Sequence, residues 1–194
     1  MSIFSFKGYS KRRCVTAAVT VALLQTAVLG YIVQSRASVL RNGTQVLLKT
    51  APVDPRDFLR GDYVVLNYDI SSVPVSSISG AMPKEAAERS LWVRLKPGEG
   101  GFWQIAESSF DKLPPADGTA VLHTQPFYSY GETSQAETIR VEYGIERYYV
   151  PEGAGHALEE ARRDGQVSIA ASVGANGMGQ IKSLLVDGKP AYEE

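Results

Sequence analysis

Apolar positions along this chain follow two rhythms. From Cys14 to Ser35 there is no charged residue, and Val15–Val33 is almost continuously apolar for 19 residues. At a helical rise of ~1.5 Å per residue such a segment reaches ~28 Å, enough to cross the hydrocarbon core of a bilayer. Beyond it, short apolar runs alternate with Gly, Pro, Asn, Asp and Ser, the punctuation of strands and turns. The pattern predicts strands over 45–50, 63–70, 90–95, 101–106, 119–124, 138–147, 166–173 and 180–186. In the second, Val64, Leu66, Tyr68 and Ile70 share one face by the two-residue period, and in the sixth Ile139, Val141, Tyr143 and Ile145 do, with Gly144 expected at a bulge. Asn176-Gly177 and Asp187-Gly188 are turn dipeptides, the first placed to close a hairpin. One short helix is expected over about 155–164, with its bases towards the end, and 71–89 is expected as a surface loop or partly helical lid.

The fold class that follows is mainly β (α+β), with one N-terminal transmembrane helix and a single β-rich domain carrying one short helix. Its expected divisions are a cytoplasmic N-terminus at 1–14, an anchor at 15–33, a polar stem at 34–44 and the domain at 45–194. Charge orients the anchor. Lys7, Lys11, Arg12 and Arg13 precede the span and only Arg36 and Arg41 follow closely, so the positive-inside rule puts the N-terminus in the cytoplasm and the domain outside. The lipid bilayer is thus the first expected partner, through 15–33. Cleavage at Ser35-Arg36-Ala37 is the rival reading, but the apolar run exceeds the usual h-region, which favours retention. Cys14, the one cysteine, precedes the apolar run and can be neither a lipid attachment site nor half of an internal disulfide. Beyond residue 36 the chain carries 15 basic and 21 acidic residues, a net of −6 with no basic stripe, so nucleic acid is not an expected partner.

The most individual stretch runs from Pro52 to Tyr68. Gly61, Asp62, Tyr63, Leu66 and Tyr68 reproduce every fixed position of a GDYXXLXY signature, and the chain resembles the family of bacterial membrane-anchored proteins that carries it. Asp54-Pro55-Arg56-Asp57 and Tyr143-Gly-Ile-Glu-Arg-Tyr-Tyr-Val-Pro-Glu152 are similar to other segments of that family. The resemblance implies a bacterial inner-membrane location, a periplasmic domain and a multi-spanning membrane protein as neighbour; it implies no activity.

Physically, Pro55 and Gly61 bracket a turn that redirects the chain into a strand, and Asp54, Arg56, Asp57, Arg60 and Asp62 crowd there. The plain expectation is turn capping and local ion pairs, with Tyr68 in the core. A polar pocket is the alternative, reached by Arg140, Glu142, Glu146 and Arg147 if the two motif strands are neighbours. The contact candidates are therefore Arg56, Asp57, Gly61, Asp62, Tyr63, Leu66, Tyr68, Glu142, Tyr143 and Glu146.

A Gly-Asp strand behind a membrane anchor also resembles the membrane signal peptidases. Their nucleophile would fall at Pro52–Asp54, where no hydroxyl or thiol stands, and Thr50 is the nearest candidate. His123 and His156 have no metal-ligand spacing, and no phosphate loop or dinucleotide fingerprint occurs, so no metal and no cofactor is expected. Two functions stay open. The first is a non-enzymatic extracytoplasmic accessory module beside a polytopic membrane protein; the second is an envelope-processing hydrolase with a polar site at the Arg56–Asp62 turn.

Overall fold

The computed structural model describes residues 11–51, 63–129, 137–149, 161 and 165–193. The chain divides into two compact units, Met1–Ala37 and Ser38–Glu194. The uncharged N-terminal run lies in one long helix, α1, Lys11–Asn42, long and apolar enough to cross a membrane. The stretch expected as a polar stem is helical as far as Asn42. Thr16, Thr20 and Thr26 turn their hydroxyls back onto the carbonyls of Arg12, Thr16 and Ala22 at 2.6, 2.9 and 2.9 Å, which satisfies them within the helix itself.

Within the second unit, the end of the helix is tied down. The Val39 carbonyl accepts from the Ser172 hydroxyl at 2.6 Å and from the Gly43 amide at 2.9 Å, so one of the helix's terminal acceptors is doubly satisfied. A Cβ on Gly43 would collide with that hydroxyl and that carbonyl, which explains a glycine here.

Directly after it comes β1, Thr44–Ala51, antiparallel to β12, Val167–Val173, from Thr44↔Val173 to Lys49↔Ser168. β13, Gly179–Val186, and β14, Lys189–Glu193, continue that sheet through two hairpins. The Asn176-Gly177 turn closes the first, with Gly177 at φ +82°. Asp187-Gly188 closes the second with both residues at positive φ, as a tight hairpin turn requires. At its other edge β1 meets β3, Asn67–Tyr68, through Thr50↔Tyr68 and Ala51↔Asn67. A three-stranded sheet is formed by β6, Trp92–Pro97, between β7, Trp103–Ser109, and β8, Ala120–His123. Three short pairs complete the described strands: β2, Tyr63–Val65, with β11, Arg147–Tyr149; β4, Ser72–Pro74, with β10, Thr138–Arg140; and β5, Ala87–Arg89, with β9, Phe127–Ser129.

One apolar core is shared by these sheets. Leu48, Leu66, Val93, Leu95, Leu122, Ile169 and Leu184 are each wholly buried within it. Burying such side chains contributes roughly 1.5–3 kcal/mol apiece, and no covalent cross-link is available to help. On β6 the core residues Val93 and Leu95 flank Arg94, which points the other way and is nonetheless nearly buried. Its guanidinium meets Glu107 Oε1 at 2.6 Å, the Pro114 carbonyl at 2.7 Å and Thr119 Oγ1 at 3.2 Å. A buried cation needs such a full set of partners, and this one pins the connection from β7 to β8.

Two long strands expected from periodicity are broken. The sixth, 138–147, divides into β10 and β11 because Gly144 adopts φ +80° between them, which ends regular pairing rather than making a bulge. The second, 63–70, divides into β2 and β3 and ends in a 3-10 turn, Asp69–Ser71. The alternation survives both interruptions: Leu66, Tyr68 and Ile70 are buried, as are Val141, Tyr143 and Ile145. The expected loop at 71–89 contains β4 and β5, and its Val73 lies wholly within the core. β4, β5 and β9 are three residues long, too short to carry a period. The short helix expected near 155–164 lies outside the described residues apart from Ala161, which is helical.

Candidate functional site

The two segments singled out by sequence lie side by side. Residues 63–74 run antiparallel to 138–149, from Tyr63↔Tyr149 to Val65↔Arg147 at one end and from Ser72↔Arg140 to Pro74↔Thr138 at the other. Between these short ladders strand pairing stops, and other hydrogen bonds take over. The Leu66 amide donates to the Glu146 carbonyl at 2.7 Å, and the Val141 amide donates to the Ser71 carbonyl at 2.9 Å.

Two phenols complete the clasp. The Tyr68 hydroxyl donates to the Ile145 carbonyl, and the Tyr143 hydroxyl donates to the Ile70 carbonyl at 2.6 Å. Each segment thus sends one tyrosine across to the main chain of the other. Both rings are almost wholly buried, so each hydroxyl needs a partner and each carbonyl would be orphaned without it.

Glu146 sets the turn between the ladders. Its Oε1 accepts the Tyr143 amide at 2.5 Å and its Oε2 accepts the Gly144 amide at 2.8 Å, which fixes the reversal that Gly144's positive φ permits. Burial pushes the Glu146 carboxyl above its ordinary range. The amides of Tyr143, Glu146 and Gly144 pull the other way, and the neighbouring Glu142 charge adds to the rise. The phenols of Tyr68 and Tyr143 are also raised, first by burial and then by Glu146, so both remain protonated donors.

Of the residues proposed from sequence, the structure brings Leu66, Tyr68, Tyr143 and Glu146 into this clasp. Glu142 projects to solvent beside it, while its carbonyl accepts the Gln125 amide at 2.7 Å. Tyr63 contributes main chain to β2. Arg56, Asp57, Gly61 and Asp62 lie outside the described residues. Arg140 and Arg147 are exposed on the second segment. Thr50, the nearest hydroxyl to a hypothetical nucleophile position, is buried and donates to the Val167 carbonyl at 2.6 Å.

Sequence reasoning did not single out two surface features. A groove of about 500 Å³ begins immediately after the signature, between Asp69–Ile70, Ser72 and Lys49 on one side and Phe102, Trp103 and Gln104 on the other. A second cavity of about 290 Å³ is walled by Trp92, Lys112, Thr119 and Val173. Beside it the His123 ring lies 4.2 Å from that of Trp92 and is hydrogen-bonded through Nε2 to Ser90 Oγ at 2.8 Å; burial lowers its pKa, which favours the neutral ring. Lys112 Nζ sits 5.5 Å above the Trp92 ring. An isolated Trp, Lys or His carries no periodic signal, so only folding reveals these neighbours. Among the described residues no group of three or more His, Cys, Asp or Glu is gathered as metal ligands.

The family model described as GDYXXLXY protein matches residues 25–184. No curated protein and no solved structure matches the chain.

Proposed function

Since the chain belongs to the GDYXXLXY protein family, we propose that it is a non-enzymatic accessory module, anchored in a bacterial inner membrane by α1 with its N-terminus cytoplasmic and its β-rich unit periplasmic. It works beside a multi-spanning membrane protein. The observation that carries this reading is the clasp itself. Leu66 and Tyr68 of the signature are buried, and the hydroxyls of Tyr68 and Tyr143 and the carboxylate of Glu146 are spent on main-chain partners. Such a constellation fixes the path of the chain, and the exposed Glu142 beside it is left as contact surface. The length of the apolar run, beyond that of the usual h-region, favours a retained anchor over a cleaved leader.

The test is crosslinking of the full-length chain in its own membrane, followed by mass spectrometry, with an Asp62→Ala/Glu142→Ala variant that melts like wild type. A polytopic protein captured by wild type and lost from the variant is the expected result. If no such protein is captured, the accessory reading falls and the Arg56–Asp62 turn becomes the place to seek hydrolysis.

A further inference from the structure

Four uncharged polar side chains interrupt the apolar run of α1 between Val15 and Val33, and they differ in one respect. Thr16, Thr20 and Thr26 each close a hydrogen bond onto their own helix. Gln25 has no such bond. Its side chain stands exposed near the middle of the run, where a bilayer core offers no water to complete it.

Gln25 also occupies a particular line along the helix. Val15, Ala18, Ala22, Gln25, Leu29 and Ile32 alternate three and four residues apart, the a/d spacing at which two helices pack along a left-handed seam. Ala18 and Ala22 are small enough for a neighbouring backbone to come close, which is how membrane helices gain contact where no hydrophobic drive exists. The opposite face, through Leu23, Ala27 and Tyr31, carries no amide.

We propose that this seam joins α1 to α1 of a second copy of the chain, with the two Gln25 amides hydrogen-bonded to each other at the centre of the bilayer. An amide is both donor and acceptor, so the same group at the same depth on a symmetry-related helix completes it without any other residue. A partner with a different sequence would have to place a polar group at that depth independently. The proposal rests on α1 being a retained membrane anchor, and leaves the periplasmic contact surface free for another protein.

The experiment uses the full-length chain in membranes, with Cys14→Ser removing the native thiol and single cysteines introduced by Ala22→Cys on the seam or Ala27→Cys opposite it. Mild oxidation should yield several-fold more disulfide-linked homodimer from the first than from the second. Adding Gln25→Leu to Ala22→Cys should cut that yield about threefold or more, and Gln25→Asn should retain most of it. Resistance to alkaline carbonate extraction is scored on every sample. A chain that washes out of the membrane overturns the anchor and the seam together. A chain that is retained, but that crosslinks equally at both positions, ignores Gln25→Leu, or joins a different protein through Ala22→Cys, overturns the seam alone.

Discussion

The hairpin sheet of β12, β13 and β14 and the clasp around Tyr68 and Tyr143 both bury apolar residues in the same core, yet they are held by different means. In the sheet, main chain meets main chain: β12 and β13 pair from Val173↔Gly179 to Val167↔Val186 with one irregularity at Ala170/Ala171. In the clasp the ladders are three residues long at either end. The six-residue interval between β10 and β11 is joined to the first segment by two amide bonds and two phenols. A ladder tolerates many side chains, because its bonds belong to the backbone. A clasp specifies its residues, because a tyrosine hydroxyl on a buried carbonyl has no substitute of the same length. That difference supplies a physical reason for Tyr68 to be a fixed position of the signature.

Replacing Tyr68 is the strongest way to break this contrast. Tyr68→Ala should cost about 3–5 kcal/mol, the range for truncating a large buried ring. Tyr68→Phe keeps the ring and orphans the Ile145 carbonyl, for about 1–3 kcal/mol. Chemical denaturation of the full chain in detergent would measure both, and a Tyr68→Phe variant as stable as wild type would show the hydroxyl to be incidental. A double cycle with Tyr143→Phe sharpens the point: two bonds across one interval should be coupled, whereas independent bonds would add.

The hairpin sheet should respond at a different place, its turns. Gly188 sits at φ +73° with open space around its Cβ position, so Gly188→Ala costs only the backbone conformation, about 1–2 kcal/mol. Gly144→Ala meets the same penalty at φ +80°; its Cβ would stand 2.7 Å from Nε2 at the far end of the exposed Gln125 side chain, which can swing aside, so the loss should be similar. A clearly larger loss at Gly144 would mean that the clasp's turn is held more rigidly than the hairpin's.

These two regions were also unequally legible from sequence. Regular alternation along 166–173 and 180–186, together with Asn176-Gly177, leads to the β12–β13 hairpin, because period and turn chemistry are local properties. The faces of the clasp were equally clear: Leu66, Tyr68, Ile70, Val141, Tyr143 and Ile145 alternate, and all are buried. What alternation could not carry was the conformation between them. Gly144 at positive φ and the Asp69–Ser71 turn break strands that read as continuous. Nor could spacing show that the acceptors for Tyr68 and Tyr143 are carbonyls 77 and 73 residues away. Arg94 illustrates the same limit, since its burial depends on the Pro114 carbonyl and Glu107 closing over it from elsewhere in the chain.

The smallest effect belongs to Glu146, and its sign is set by burial. Because burial raises its folded-state pKa above the ordinary value of 4.5, the native chain holds that proton more tightly than the unfolded chain does. Stability from this group is therefore complete below about pH 4.5 and is lost as pH rises through the raised value. Other carboxylates impose slopes of their own, so the quantity to measure is the difference between wild type and Glu146→Gln across pH 4 to 8. Wild type should lose ground to the variant as pH rises, with a shallow slope because the carboxyl remains partly open to water. The Gln carbonyl can still accept one of the two turn amides, so the variant should fold. A difference that is flat with pH would mean that the Tyr143 and Gly144 amides fully offset the desolvation. A difference that instead favours wild type at high pH would mean that they outweigh it, making the ionised carboxylate the form that holds the turn closed.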